Sequence, residues 1–268
     1  MLKGALHVHS TYSDGEFTLA ELRRIYQDDG CAFVCMTDHA ESFDPGKLLQ
    51  YVDECQSLSD ARFLFIAGLE FECEQRMHIL GYGATERVGS KDPETVIRHI
   101  EALGALSVIA HPKNDFFDWI RKFETLPRGI ETWNSKYDGR YGPRPETFAL
   151  LQDLRQRKPE MLSFYGQDLH WKKQFRGLFV QLEAPHLDSA PARDGILQAL
   201  ARGAFTGVKG DVTLPSSGIV DPQQLAEFGK AHAASFRVWH LLKQSKQVLD
   251  RAGIRVPESV KAQLRRIF

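Results

Sequence analysis

Short apolar segments that are rich in β-branched and aromatic residues recur along the first 209 residues of this 268-residue chain. Runs of this kind are typical of buried β-strands. Helical segments lie between most of them, and two carry start signals: Thr18 with Glu21 three residues later, and Asp92 directly before Pro93. The candidate strands are residues 3–8, 32–37, 62–69, 77–82, 105–110, 128–133, 161–166, 176–182 and 206–209, and further candidate helices are 45–57, 93–103, 144–157 and 191–202.

This alternation predicts an α/β fold in which βα units surround a mostly parallel sheet. About eight units in roughly 210 residues favour a closed barrel over an open doubly wound sheet, although periodicity alone leaves both possible.

Residues 1–215 would form this domain, and residues 216–268 would form a helical extension. From Ala231 onward the extension has eight lysine or arginine residues and two acidic ones. A solvated helical cap and a contact surface for nucleic acid or an acidic partner both fit this charge.

The composition excludes several other classes of protein. Hydrophobic residues make up 43% and charged residues 26%, which is typical of globular domains rather than disordered, collagen-like or coiled-coil chains. The apolar runs fall far short of the ~20 residues that span a membrane, so no membrane contact is expected. The N-terminus lacks the apolar stretch of a signal peptide, and four cysteines make no disulfide framework. We therefore expect a cytoplasmic protein.

Six of the ten histidines lie at the ends of candidate strands or in the loops that follow them. His7 and His9 are two residues apart in a strand, so both imidazoles project from the same face. Because the carboxyl ends of barrel strands converge on one rim, these side chains would meet the carboxylates of neighbouring segments there. The nine candidate metal ligands are His7, His9, Asp14, His39, Glu70, His78, His111, Asp168 and His170.

The chemistry of these nine side chains favours divalent cations. Imidazole and carboxylate ligands suit Zn, Mn or Fe, and the absence of cysteine among them disfavours a structural zinc site. A single ion takes about four to six ligands, so we expect two or three ions that share a bridging carboxylate. Each residue alone has an ordinary alternative role, such as a strand-end aspartate that caps the next helix. Their joint placement is what favours metal binding.

Several short segments resemble, in order, the four motifs of the PHP superfamily, named after polymerase and histidinol phosphatase. These segments are His7-Val8-His9 with Ser13-Asp14-Gly15, Thr37-Asp38-His39, Gly68-Leu69-Glu70, His78, Ala110-His111-Pro112 and Asp168-Leu169-His170. The resemblance is greatest to the stand-alone metal-dependent phosphoesterases that begin HxHSxxSDG. It implies a distorted (β/α)7 barrel that carries a trinuclear metal site.

The resemblance also implies how the metal ions would be shared. The first ion would be held by His7, His9, Glu70 and Asp168, the second by Asp14, His39 and His170, and the third by Glu70, His78 and His111. The chain departs from the family pattern at Gln167, where a small residue often stands. Leu169 and Trp171 also make this loop bulkier than usual. These departures bear on the identity of the substrate and not on metal binding.

The expected reaction is metal-dependent hydrolysis of a phosphate ester by a hydroxide that bridges two of the ions. The substrate would be a small phosphorylated metabolite, a nucleotide or a short oligonucleotide, and no obligate protein partner is evident. His170, Asp38 and a metal-bound water are the candidates for protonating the leaving group.

Phosphate recognition usually needs arginine or lysine beside the metal ions. Residues 133–144 mix such cations with Trp133, Tyr137 and Tyr141, which could stack on a base, although an ordinary surface loop could have the same composition. Glu131, just before this segment, could orient a ligand or a substrate hydroxyl, or merely anchor the strand end. The candidate substrate-binding residues are Lys136, Arg140, Arg144, Lys113 and Arg176.

Two other functions stay open at this point. Multi-histidine barrels also hydrolyse carbon–nitrogen bonds, and the His7 and His9 pair alone would permit this. Asp14, Glu70 and the absence of an evident metal-bridging lysine argue against it. A non-catalytic, metal-filled barrel that binds a partner is the third hypothesis. Such a module could lose ligands without penalty, whereas all nine positions are occupied here.

Overall fold

The computed structural model describes residues 1–138, 142–183 and 192–234, in which the strands form two mixed sheets. The strands are β1 (Leu2–Val8), β2 (Phe33–Met36), β3 (Asp38–His39), β4 (Leu64–Ile66), β5 (Leu69–Glu72), β6 (His78–Tyr82), β7 (Leu106–Ile109), β8 (Gly129–Asn134), β9 (Leu162–Gly166), β10 (Phe179–Leu182), β11 (Phe205–Lys209) and β12 (Val212–Pro215). The first sheet has the order β12-β11-β10-β1-β2-β4, and the second has the order β3-β5-β6-β7-β8-β9.

Helices lie between the strands, which confirms the α/β class. Thr18 and Glu21 form the expected capping box, since each side chain accepts a hydrogen bond from the backbone of the other residue. Asp92 caps the helix that follows it, and Pro93 takes the first helical position. The helices are α1 (Leu19–Asp28), α2 (Pro45–Ser57), α3 (Pro93–Ala102), α4 (Phe117–Ile120), α5 (Pro145–Arg155) and α6 (Arg193–Arg202).

Two of the predicted strands pass from one sheet into the other. The segment predicted at 62–69 divides into β4 in the first sheet and β5 in the second, and β2 continues through Thr37 into β3. Gly68 lies at one of these crossings. A Cβ atom there would lie 2.5 Å from the Gly81 carbonyl oxygen and 2.8 Å from that of Met36, so no larger residue fits. The crossings bring His39 and Glu70 into adjacent positions of the second sheet.

The segment that follows β9 joins the two sheets once more. Gln167 N donates to Leu6 O (2.9 Å), and His9 N donates to Leu169 O (3.0 Å). Val8 and Leu169 form an isolated parallel bridge. Residues 167–170 therefore lie beside the carboxyl end of β1, next to the two histidines of that strand.

Strand direction is the main correction to the expected fold. The sheets are mixed rather than mostly parallel, because β6 runs antiparallel to both β5 and β7, and β10 runs antiparallel to β1 and β11. Only residues 73–77 separate β5 from β6. A connection this short cannot make a parallel crossover and forces a hairpin.

The described part of the predicted extension packs onto the preceding domain. Phe228 is buried against Gly142, and His232 Nε2 lies 2.8 Å from the Gly142 carbonyl oxygen. Residues 222–234 are helical. All eight basic residues counted from Ala231 onward lie beyond 234, outside the described residues. The domain boundary at 215 stays a prediction.

Among the residues that the structure describes, no helix combines the length and the hydropathy that crossing a membrane requires.

The four cysteines, Cys31, Cys35, Cys55 and Cys73, are free and buried, and burial raises the pKa of the Cys31 and Cys73 thiols to about 12. Because buried, protonated thiols react slowly, we expect Ellman's reagent to leave the native protein essentially unmodified and to titrate all four thiols in guanidinium chloride. Rapid reaction of two or more thiols in the native protein would contradict this packing.

Candidate metal centre

A buried carboxylate, Glu70, lies at the middle of a cluster of imidazoles. Its side chain is 1% exposed, and one of its oxygens lies within 3.4 Å of a ring nitrogen from each of five histidines. The nitrogens are His7 Nε2 (3.4 Å), His9 Nε2 (3.2 Å), His39 Nδ1 (3.4 Å), His78 Nδ1 (3.1 Å) and His111 Nε2 (3.2 Å). Four separate segments of the chain thus bring imidazoles to one carboxylate.

The ends of the strands explain this convergence. His7 and His9 come from the carboxyl end of β1, and His111 follows β7. His78 is the first residue of β6 and not the last, and it reaches the same place because β6 runs antiparallel to its neighbours. Asp168 and its neighbours are brought in by the hydrogen bonds between β1 and residues 167–169.

Asp14 and His170 complete the cluster on its more open side. Asp14 Oδ1 lies 3.2 Å from His170 Nε2 and 3.6 Å from His39 Nε2. The Asp14 side chain is 53% exposed, whereas that of His170 is 2% exposed. Solvent therefore reaches the cluster from the side of the Asp14 loop.

The candidate ligand atoms fall into three overlapping groups, and within each group all atoms lie within 4.8 Å of one another. The groups are His9, Asp14, His39 and His170; His7, His9 and Asp168; and His7, Glu70 and His111. His78 lies next to the third group through Glu70. The structure thus brings all nine predicted ligands together. The division of the ligands among the groups differs in one respect from the expected division among the ions, because His9 also belongs to the group that contains Asp14.

Two of the candidate ligands, His9 and Glu70, are in the form that metal ions require. Burial lowers the pKa of His9 to about 3, so its imidazole is neutral. Burial alone would raise the pKa of Glu70, but the nearby charges of His7 and His78 and a hydrogen bond from His111 hold it well below the usual range. Neutral imidazoles and ionised carboxylates are the ligands of divalent Zn, Mn and Fe.

Several buried nitrogens of the cluster lack a hydrogen-bond partner among the described residues. They are His7 Nε2, both ring nitrogens of His9, and His78 Nδ1. Unpaired buried polar atoms are uncommon and costly in native proteins, by about 1–3 kcal/mol each. Bound cations would satisfy these atoms, so the residues present fit a metal centre.

The backbone is strained at three of the nine candidate ligands. His7 (φ 61°), His111 (φ 25°) and Asp168 (φ 52°) lie in or near the left-handed region. Non-glycine residues rarely adopt this conformation, which costs about 1–3 kcal/mol and is concentrated at functional sites. At His7 the strain accompanies a shift in the register between β1 and β2. Three candidate ligands therefore share the backbone strain that is typical of functional sites.

Asp38, one of the two predicted catalytic residues, lies beneath the loop that carries Asp14. Its buried carboxylate accepts hydrogen bonds from the backbone nitrogen and the hydroxyl of both Ser10 and Ser13, at 2.6–3.1 Å. These contacts hold the loop in place over His39 and His170.

His170, the other predicted catalytic residue, lies within the cluster. Its Nδ1 atom is 3.2 Å from Asp168 Oδ1 and 3.4 Å from Lys136 Nζ. Burial would lower the pKa of His170, but Asp14 and Asp168 raise it to about 9.

Among the predicted substrate-binding residues, Lys136 reaches the cluster. Its Nζ atom lies 2.9 Å from Asp168 Oδ1. Burial would lower the pKa of Lys136, but the charge of Asp168 outweighs this and raises it. A positive charge therefore lies at the edge of the centre, where an anionic substrate would be attracted.

The other predicted cations lie in different environments. Arg144 forms a partly buried ion pair with Asp138 and donates to Asn114 Oδ1 (2.8 Å) and Pro112 O (2.7 Å). Arg176 donates to Ser135 O (2.6 Å). Both thus hold the loops around the centre, and a contact of either with substrate stays a prediction.

Lys113 is exposed, with its ammonium 5.6 Å from the centre of the Phe116 ring. Arg140 and Tyr141 lie outside the described residues.

Of the aromatic residues expected to stack on a base, Trp133 is buried and Tyr137 is exposed. Trp133 is 1% exposed, so stacking on a substrate is excluded, because its ring is part of the core of β8. Tyr137 is 55% exposed, and its ring lies 4.5 Å from that of His111. Trp171, a bulky residue of the loop after β9, is 43% exposed, and its ring lies 5.4 Å from that of His170.

Sequence reasoning missed Asn134 and the serines of the Asp14 loop. Asn134 Nδ2 lies 2.9 Å from Glu131 Oε2 and 3.4 Å from Asp168 Oδ2. The serines surround Asp38 as described above. No spacing rule singles out these neutral side chains, because they act on the ligands through hydrogen bonds and do not belong to the ligand set.

A model of the PHP domain family matches residues 5–152, which is more than half of the chain. The chain therefore belongs to the PHP domain family. None of the curated proteins compared with it gives a significant match.

Two solved structures share the fold. One is a two-domain protein from Bacteroides vulgatus that contains a predicted PHP-like metal-dependent phosphoesterase, with 17% identity, a TM-score of 0.58 and coverage of 86% of this chain and 69% of that one. The other is PsfC from Pseudomonas syringae, with 15% identity, a TM-score of 0.53 and coverage of 87% of this chain and 98% of that one. At these identities the likeness establishes the fold alone.

We expect Mn²⁺ to raise the melting temperature of chelator-treated protein, because an ion that binds only the folded state stabilises it. At a free concentration of ~100 Kd one site contributes about 2.7 kcal/mol, or about 5–10 °C for a chain of this size. His9→Ala removes a residue common to two ligand groups and should reduce the shift, whereas Arg121→Ala, at an exposed ion pair with Asp153, should retain it. An unchanged melting temperature for the wild-type protein would count against a metal centre.

Proposed function

We propose that this protein is a metal-dependent phosphoesterase with a trinuclear centre in a distorted (β/α)7 barrel. The observation that carries the proposal is the sharing of Glu70 by five imidazoles, with Lys136 placed beside the same cluster. A ligand set of this size suits several ions, and a fixed cation beside it suits an anionic substrate.

The hydrogen bonds between the sheets support the barrel. Seven strand positions follow one another: β1, β2 with β3, β4 with β5, β6, β7, β8 and β9. The bonds from residues 167–169 to β1 would close this ring. The antiparallel β6 would be the distortion.

The three overlapping ligand groups support a trinuclear centre. Bound divalent ions would supply a water of lowered pKa and would neutralise the phosphoryl oxygens. The chain's own residues would do the rest. Lys136 would bind a phosphoryl oxygen at the edge of the centre, and Asp38 would hold the Asp14 loop through Ser10 and Ser13.

Of the two side chains predicted to protonate the leaving group, His170 reaches the cluster. Asp38 has both oxygens engaged by the serines. The proposal therefore assigns proton donation to His170 and loop positioning to Asp38.

The substrate that we propose is a small phosphorylated metabolite, a nucleotide or a short oligonucleotide. The exposed rings of Tyr137 and Trp171 beside the cluster support an aromatic group in the substrate, because such rings stack on bases. The free, buried thiols fit a reducing compartment, so we propose a cytoplasmic location.

The direct test is an assay of the Mn²⁺-loaded protein on p-nitrophenyl phosphate and bis-p-nitrophenyl phosphate, with metal content measured by plasma mass spectrometry. We expect two to three ions per chain and release of p-nitrophenol from at least one ester, which would also separate a monoesterase from a diesterase. Two to three bound ions without turnover of either ester, or of a panel of nucleotides, would instead favour hydrolysis of a carbon–nitrogen bond.

We expect Lys136→Ala to lower kcat/KM by about 10–100-fold, since a charged hydrogen bond contributes about 1.5–3 kcal/mol. Lys136→Arg should recover part of the loss, and Arg121→Ala should leave kcat/KM unchanged. If Lys136→Ala kept both its metal content and its full kcat/KM, Lys136 would not bind the phosphoryl group.

A further inference from the structure

Glu131 is a buried carboxylate of β8 that contacts two candidate ligands from different parts of the chain. Its Oε1 atom lies 2.8 Å from His7 Nδ1. Its Oε2 atom accepts hydrogen bonds from His111 N (2.9 Å) and Asn134 Nδ2 (2.9 Å). Asn134 Nδ2 in turn lies 3.4 Å from Asp168 Oδ2. One carboxylate and one amide thus connect His7, His111 and Asp168.

These contacts determine which nitrogen of His7 carries hydrogen. An ionised carboxylate only accepts hydrogen bonds, so a ring nitrogen 2.8 Å from Oε1 must be the donor. His7 Nδ1 therefore carries a hydrogen, whether the ring is neutral or charged. In the neutral ring, the lone pair then lies on Nε2, which faces Glu70 and has no hydrogen-bond partner among the described residues.

The Glu131 carboxylate also holds two segments whose backbone is strained, those of His7 and His111. Both residues have positive φ, of 61° and 25°. Glu131 binds the side chain of the first and the backbone nitrogen of the second, so it connects both strained segments to the rigid strand β8.

Glu131 has little room to move. A Cβ atom at position 166 would lie 1.7 Å from Glu131 Oε1 and 3.0 Å from His7 Cβ. Only a glycine at 166 therefore leaves space for the carboxylate, and the packing holds it against His7.

We propose that Glu131, supported by Asn134, is a positioning residue of the metal centre. It holds His7 with Nδ1 protonated, so that Nε2 is free to bind metal, and it fixes the strained segment of His111. Carboxylates that orient ligating histidines in this way typically change metal affinity by about 10–100-fold when they are replaced. The inference rests on the proposed metal centre but not on the nature of the substrate.

Glu131→Gln is the informative substitution because an amide cannot replace the carboxylate in either orientation. With its oxygen towards His7, its NH₂ group faces two donors, His111 N and Asn134 Nδ2. With its NH₂ group towards His7, it requires Nδ1 to accept and thereby places the hydrogen on Nε2. One orientation loses the anchor of His111, and the other blocks the metal-binding nitrogen.

The test is a titration with Co²⁺, followed by its visible absorption, which reports ligand geometry without any substrate. We expect Glu131→Gln to bind Co²⁺ about 10–100-fold more weakly with an altered spectrum, and Glu131→Asp, which keeps a carboxylate, to recover part of the affinity. Glu101→Gln is the matched control, because Glu101 also accepts a hydrogen bond from a neighbour, Ser107 Oγ (2.9 Å), and belongs to none of the ligand groups. Wild-type affinity and spectrum in Glu131→Gln would overturn the proposal.

A second measurement needs no variant and covers the case in which Glu131→Gln fails to fold. Nitrogen-15 spectra of the histidine rings in Zn²⁺-loaded wild-type protein should show His7 bound through Nε2 and protonated at Nδ1. Binding through Nδ1, or a proton on Nε2, would overturn the proposal. Zn²⁺ and Co²⁺ binding with these signatures but without ester hydrolysis would sink the proposed phosphoesterase and leave the role of Glu131 intact.

Discussion

The burial of the Glu70 carboxylate is the constraint on which the rest of the site depends. A buried charge must be paired or bound to metal, and the 1% exposed carboxylate of Glu70 has ring nitrogens of five imidazoles within 3.4 Å. Those imidazoles come from β1, β3, β6 and the segment after β7, so the ends of these strands must converge. The same crowding leaves buried nitrogens unpaired, which is unfavourable for the protein alone and favourable for binding cations.

Two further buried carboxylates, Asp38 and Glu131, hold the segments that carry the candidate ligands. On one side, Asp38 holds the Asp14 loop through the backbone and hydroxyl groups of Ser10 and Ser13. On the other side, Glu131 holds the segments of His7 and His111. Both carboxylates are buried and accept hydrogen bonds through both oxygens, whereas the Asp14 side chain is 53% exposed and that of Lys136 is 21% exposed. The carboxylates that hold the ligand segments and the residues on the open side of the centre are therefore different residues.

Much of the candidate site could be predicted from the sequence, because strand ends and two-residue spacing place side chains on one rim. That reasoning brought together all nine candidate ligands, including His7 and His9. It failed for Trp133, which is part of the core, and it could not distinguish Lys136 at the cluster from Arg144, which pairs with Asp138. The spacing of residues along the chain does not indicate the conformation of the loop that carries them. Burial and pairing of a loop residue depend on segments distant in the sequence.

The sequence by itself determined the α/β class, the helix caps and the types of side chain that meet at the centre, because these follow from local periodicity and from residue chemistry. Only the tertiary structure decided the direction of β6, whose first residue, His78, lies in the cluster. It alone also decided that two strands pass from one sheet to the other, at Thr37 and at Gly68. It also decided which nitrogen of His7 faces Glu70, through Glu131. These features depend on hydrogen bonds between residues up to 124 positions apart, which no local pattern encodes.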